Sequence, residues 1–416
     1  MNARIYRPGL FPTAHHCDQG GKGKRFLTTI LSLVFLASGA NLWAQTTYFW
    51  RSEAGSGAWE VEGNWWNGSG NAIPSGNDIL RFGNNSYTDM TNNLIKTSRY
   101  QIWFDSDATT GRTIAGTTEN TFYDYGTNMP KIENSSSVTH TINFPIKLGY
   151  SGGLEINPVS GDLAIGGAID TSGYNIKVYG NNNKTLTLSG IVSGSGGLML
   201  EQNSVVLLNN ANTYTGATAV DAGTLVVNGN QSGANGNVTV ASGATLAGEG
   251  TVGGGTTVSG THAPGNGTAG AVGSQAFSST LTYNSGSTFE WDVTSDTSYD
   301  QVTGISSLSG SGGIFNVVTS DISSTFWNAN HPFNSVFNTG TLSSVFSSFQ
   351  LNGTPLTNGI VAGQGTFTFN GSGVQWTAVP ELSNLLIGGL LGAGLLLRRR
   401  AEGRAAAQCC MLNFEC

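Results

Sequence analysis

Short runs with apolar residues at positions i and i+2, separated by Gly, Asn and Ser, recur along the middle of the chain. They are Leu154 to Ile156, Leu163 to Ile165, Ile176 to Val178, Leu186 to Leu188 and Leu198 to Leu200. A period of two puts both apolar side chains on one face and the residue between them on the other, so each run predicts a short strand with one buried side. This region shows no helical period. Further on the recurrence becomes regular: Thr218-Ala219-Val220 matches Val238-Thr239-Val240 at a spacing of 20 residues, and Val258 continues it. Gly223 and Gly243 follow at the same offset, then Leu225 and Leu246. One such turn cannot bury its apolar side alone, whereas stacked turns can, so the pattern predicts a solenoid. The expected fold is all-β: a right-handed parallel β-helix with a Trp-rich N-terminal β cap, a C-terminal β-rich region and one C-terminal transmembrane segment.

Composition agrees. The chain has 416 residues, of which 10% are charged and 60 are Gly. An average soluble protein is about 25% charged and about 7% Gly, so a turn-rich β protein fits better than a typical cytosolic enzyme. The net charge is -7, and no Lys or Arg occurs between Lys184 and Arg398. Glu201, Asp221, Glu249, Glu290, Asp292, Asp296, Asp300 and Asp321 all fall in that interval. A surface without cations cannot neutralise phosphates, which excludes nucleic acid and polyanionic sugars as partners of this half. The four cysteines, Cys17, Cys409, Cys410 and Cys416, stand at the extremes. The body therefore has neither disulfides nor a Cys-based zinc site.

Both ends carry targeting features. Lys22, Lys24 and Arg25 precede an apolar run from Phe26 to Ala37, and Leu42-Trp43-Ala44 offers a small residue for cleavage before Gln45, with Ala40 as the second choice. This order predicts a secretory signal read by Sec-type export machinery. Near the other end an apolar run from Leu385 to Leu397 is stopped by Arg398, Arg399 and Arg400. It is shorter than the roughly 20 residues of a comfortable span, although a start at Leu382 lengthens it. Basic residues after the run place that end in the cytoplasm and the body outside. The expected organisation is a signal region 1–44, a Trp-containing β region 45–145, a repeat region 146–275, a C-terminal β region 276–378, an anchor or sorting segment 379–400 and a tail 401–416.

Asn210, Asn212, Thr213, Tyr214, Thr215 and Gly216 are followed by Val220, Ala222, Gly223, Thr224, Leu225, Val227, Asn228 and Gly229. This ordered stretch resembles the autotransporter-associated β-strand repeat. Trp50, Trp59, Asn64, Trp65, Pro74, Asp78 and Phe82 resemble the segment that often precedes such repeats. With Tyr299, Asp300 and Gln301 the resemblance spans most of Gln45 to Ala378. It implies an exported, passenger-like β-helix with a surface, adhesive or scaffold role. Autotransporters end in an outer-membrane barrel built of many strands of about ten residues; too little chain follows Asp321, so self-secretion is not expected. Val379, Pro380, Glu381 and Ser383, the apolar run and the three arginines are similar to a PEP-CTERM sorting signal instead. That resemblance implies an exosortase as partner, cutting near the Pro-Glu pair. Leu382 stands where the motif usually has a second Pro, which relaxes a rigid turn, and residues continue beyond Arg400 to the vicinal pair Cys409-Cys410. A plain transmembrane anchor shows the same run and basic stop.

Candidate chemistry is sparse. Gly149, Ser151 and Gly153 fit the nucleophile-elbow spacing, without the strand-to-helix context that elbow needs. His140, His262 and His331 are isolated from any second metal-ligand position and are expected on the surface or in turns. Glu290, Asp292, Asp296 and Asp300 are candidates for a calcium site, since hard cations take several carboxylate oxygens; no other cofactor is expected. Trp59, Trp65 and Trp66 either close the first coil of the solenoid or stack on sugar rings. Parallel β-helices also include polysaccharide lyases and hydrolases. A lyase base is excluded from the cation-free half, while carboxylates paired across coils stay open. The overall reading is a non-catalytic, envelope-anchored or exosortase-sorted surface protein, with a carbohydrate-binding or polysaccharide-degrading solenoid as the alternative and polysaccharide or other surface proteins as partners.

Overall fold

The apolar triplets are strands, and they stack. The computed structural model describes residues 46–379 except 52–56, 76–77, 85–88, 94–97, 100, 124–128, 182 and 267–269. The signal region with its cleavage point Ala44–Gln45, and all residues from Pro380 onward, lie outside the described residues. These include the sorting residues Glu381, Ser383, Arg398, Arg399 and Arg400 and the expected transmembrane segment. No helix among the described residues is long and apolar enough to cross a membrane.

Two long walls run the length of the body. The first has 13 strands, from Trp65–Trp66 and Thr47–Trp50 through Ile79–Phe82, Leu154–Pro158 and Val238–Val240 to Leu308–Gly310. The second has 14, from Asp89–Thr91 to Phe346–Leu351 and the closing strand Thr354–Leu356. Between the ends every successive pair is parallel, so each turn of chain adds one rung to each wall, which is the topology of a solenoid. The parallel ladder already includes Ile79–Phe82 and Gln101–Phe104. The walls run without a break past residues 145 and 275.

Register explains the alternation. On the first wall Ile132, Ile156, Val178, Leu200, Val220, Val240 and Val258 stand one above another, all buried. On the second, His140, Leu163, Leu186, Val206, Leu225, Leu246, His262, Phe289, Phe315 and Phe349 form one inward column. Each buried aliphatic side chain contributes about 1.5–3 kcal/mol relative to exposure. The columns turn aromatic toward the C-terminal end, where Tyr283, Phe289, Phe337 and Phe346 pack together.

A third, shorter wall of five strands runs from Ser98–Arg99 to Val192–Ser193, and another of three from Thr251–Val252 to Gln301–Thr303. In the interval the repeat signature itself replaces the strand. Asn212 Oδ1 accepts from Val192 N at 2.8 Å, and the backbone of Thr213 and Thr215 donates to Val192 O and Gly194 O. Tyr214 points into the core and its hydroxyl meets Thr218 Oγ1 at 2.7 Å. The Asn-x-Tyr pattern is therefore a substitute for a third-wall rung.

Both ends are covered. At the N-terminal end Trp65–Trp66 pairs antiparallel with Thr47–Trp50. At the other end an antiparallel sheet of His331–Phe333, Gly373–Ala378, Gly365–Asn370 and Ile360–Val361 follows the last coil. Helical structure among the described residues is confined to the single turn Leu342–Val345 and three 3-10 segments.

Candidate functional site

Trp59 and Trp65 have no exposed surface, and Trp50 is buried beside them. Trp65 meets Trp50 and Trp59 edge-on at 4.9 and 5.6 Å, and its Nε1 donates to Trp59 O at 2.8 Å. These rings close the core as a cap and present no face to a ligand, so Trp59 and Trp65 do not stack on a sugar ring, contrary to that expectation. Trp66 points outward and is partly exposed. Register places Trp66, Phe49, Arg81, Trp103 and Glu133 in one outward column. Arg51 lies 4.3 Å over the Trp66 ring, and Arg81 sits within 5.9 Å of Phe49 and 5.3 Å of Trp103 while also bonding Asp105. The exposed aromatics are thus occupied by neighbouring guanidinium groups.

All three histidines of the body are buried, contrary to the expectation of surface or turn positions. His140 Nδ1 accepts from Arg112 N at 3.1 Å, so its proton is on Nε2, which donates to Ser136 Oγ at 2.9 Å. Ser136 Oγ in turn donates to Asn134 Oδ1 at 2.7 Å, and Asn134 Nδ2 donates to Val138 O and Asp162 O. A nucleophile needs the proton to move from serine to histidine; here the direction is reversed. Phe104 stacks on the imidazole at 4.0 Å. Burial, with the Arg112 charge, pushes His140 down to about 4 and keeps it neutral. His262 is organised the same way. Gln275 Nε2 donates to Ala247 O, leaving Gln275 Oε1 to accept from His262 Nε2, and Tyr283 then donates to Nδ1. Burial pushes this histidine to about 4, opposed by the Gln275 bond. His331 lies between two acceptors, Asp296 Oδ1 at 2.6 Å and Phe326 O at 2.5 Å, and joins the last coils to the C-terminal sheet.

Of the calcium candidates, Asp296 is the exposed partner of His331, apart from the others. Glu290 is half-buried, and Asp292 and Asp300 are buried. Asp300 accepts from Gly273 N at 2.7 Å and Asp292 N at 2.9 Å, which fastens the strand Ser274–Phe277 to the coil above. Burial, assisted by the charges of Asp292 and Glu290, drives Asp300 up to about 8 against those two backbone donors. Burial and Glu290 likewise lift Asp292 to about 6. Among the described residues no three His, Cys, Asp or Glu side chains converge on a metal position. The four acids do not form one cradle: Asp300 spends its oxygens on backbone donors and keeps its proton at neutral pH, and burial raises Glu290 as well. Ser151 lies in an exposed turn between Ile146–Leu148 and Leu154–Pro158, with no helix after it. Val379 is exposed and its N donates to Gln364 O at 2.7 Å.

A cleft of about 630 Å³ opens between Phe346–Leu351, the turn Thr357–Gly359 and Gly365–Asn370. Phe349 and Phe369, stacked at 4.3 Å, contribute to its floor, and Ser348, Asn358 and Thr368 stand on its rim. Nothing in the i, i+2 pattern marks it, because it forms where the wall strand Phe346–Leu351 meets Gly365–Asn370 of the C-terminal sheet.

No protein-family profile matches the chain, and no solved structure matches it. A 94-residue stretch is 36% identical to the adhesin BmaC autotransporter of Brucella suis biovar 1 (strain 1330), covering 23% of this chain and 3% of that protein. The chain is therefore a parallel β-solenoid with a segment similar to part of an autotransporter adhesin.

Proposed function

We propose that this protein is an exported, non-catalytic surface protein of the adhesin type. The observation that carries the reading is the uninterrupted pair of walls with covered ends, a rod whose sides are its available surface, together with the segment similar to an adhesin. The internal chemistry supports it: the buried Ser136–His140 pair is oriented against nucleophile activation, and Asp300 has no exposed surface from which to act on a substrate. In this reading Sec-type machinery exports the chain with cleavage after Ala44. The segment from Val379 to Arg400 then holds it at the envelope until an exosortase acts near Pro380-Glu381.

The test is fractionation of cells with and without an exosortase, following a tag at each end, with protease added to intact cells. Surface accessibility of the body supports the adhesive reading, and a body protected in intact cells overturns it. Loss of the C-terminal tag only where the exosortase is present supports sorting. Retention of that tag in both strains leaves a plain anchor.

A further inference from the structure

From Ile322 to Pro380 the chain contains no Asp, Glu, Lys or Arg, and this uncharged stretch builds the whole cleft beside the C-terminal sheet. Its volume of about 630 Å³ falls within the range of about 300–1,000 Å³ typical of small-ligand sites. A charged ligand entering it loses hydration and finds no counter-charge, which is unfavourable. An entirely apolar ligand gains nothing from the rim groups, which stay hydrated beside it.

The rim and the floor together select what remains. Ser348, Asn358 and Thr368 are exposed at the mouth, and their hydroxyl and carboxamide groups each both donate and accept hydrogen bonds without charge. Asn358 adopts a left-handed backbone (φ 52°) in the turn Thr357–Gly359, a conformation Asn tolerates better than other side-chain-bearing residues. Below, Phe369 is half-buried, lines the cleft and is supported by Phe349 at 4.3 Å and Phe346 at 6.2 Å. An aromatic floor under neutral, bifunctional polar groups matches a pyranose, which has an apolar C–H face and a periphery of hydroxyls.

We infer that this cleft binds a neutral pyranose unit of an extracellular polysaccharide. The biological source of that ligand rests on the surface-adhesive reading; the binding itself does not. The site lies at the end of the rod opposite the tryptophan cap.

The experiment is calorimetric titration of the purified full chain with maltohexaose, cellohexaose and mannohexaose, and with an alginate oligomer as the anionic control. At least one neutral hexaose is expected to bind and alginate not to. Asn358→Gly keeps the left-handed turn and removes the amide, and should weaken binding about tenfold, the scale of one lost hydrogen-bonding partner. Ser348→Trp, at an exposed strand position, should fill the cleft and abolish binding, with the melting temperature of both variants unchanged. Failure of all three hexaoses to bind, equal binding by alginate, or undiminished binding by Ser348→Trp overturns the inference. If no hexaose binds while the body is accessible on intact cells, the cleft inference fails alone. If a hexaose binds but the body is protected in intact cells, the adhesive reading fails alone.

Discussion

Glycine has two separate uses in this chain. Gly196, Gly216, Gly236 and Gly254 stack at one corner of the solenoid, where a Cβ on each would meet the backbone of the coil below. Gly243 instead has a positive φ of 86° with open space around it. Gly216→Ala should therefore lower stability by about 1–3 kcal/mol, since overpacking forces the backbones apart. Gly243→Asn should be close to neutral, because Asn accepts left-handed backbone; thermal melts of the two variants make the comparison. Buried polar residues obey a similar logic. Ser136→Ala strands the Nε2–H of His140 in the core, and the cost should be about 1–3 kcal/mol, the price of an unmade buried bond. Equal melting temperatures for the variant and the parent would contradict the assigned network.

At the scale of elements, the strand Thr288–Ser295 and the chain around Gly273 are tied by a carboxyl group with no cation to balance it. Asp300 is held at about 8 by burial, then by Asp292 and Glu290, against an ordinary value of 3.8. The folded state thus keeps a proton that the unfolded chain releases, and stability falls as pH rises between those values. His140 and His262, depressed from 6.5 to about 4 by burial, act in the opposite sense, with stability lost as pH falls from 6.5 toward 4. The two effects overlap at acid pH and separate above it. Between pH 6.5 and 8 the melting temperature should decline, and Asp300→Asn should flatten that decline. A variant with the parent's slope would show that another group is responsible.

For the whole molecule the covered ends decide stability. In a stack whose coils touch only their neighbours, an uncovered end frays inward. Trp65→Ala removes the ring packed on Trp50, Trp59 and Phe82 and should cost about 3–5 kcal/mol. Hydrogen exchange should report early loss of protection at Ile79–Phe82 and Gln101–Phe104, with Leu198–Leu200 retained. Uniform loss along the rod would mean that it unfolds as one unit.

Much of the solenoid was legible because its physics is local. Leu154 to Ile156 and its successors have to alternate when one face of a strand is buried and the other solvated, and the spacing between Thr218 and Val238 is one coil of chain. Cys distribution and the cation-free stretch are likewise properties of the sequence by itself. The sites were not legible, because they depend on residues from different coils. Nothing around His140, His262 or His331 in the sequence marks them as buried; each is buried because another coil supplies its partner, Arg112 N, Gln275 and Asp296 respectively. Trp65 and Trp66 are adjacent in the chain, yet the first is core and the second faces outward, since period two assigns opposite faces and only the pairing with Thr47–Trp50 decides which. The uncharged composition from Ile322 to Pro380 was present from the start, but its closure around a cleft was decided by tertiary structure. An antiparallel sheet can fold back on the last coil only once that coil exists.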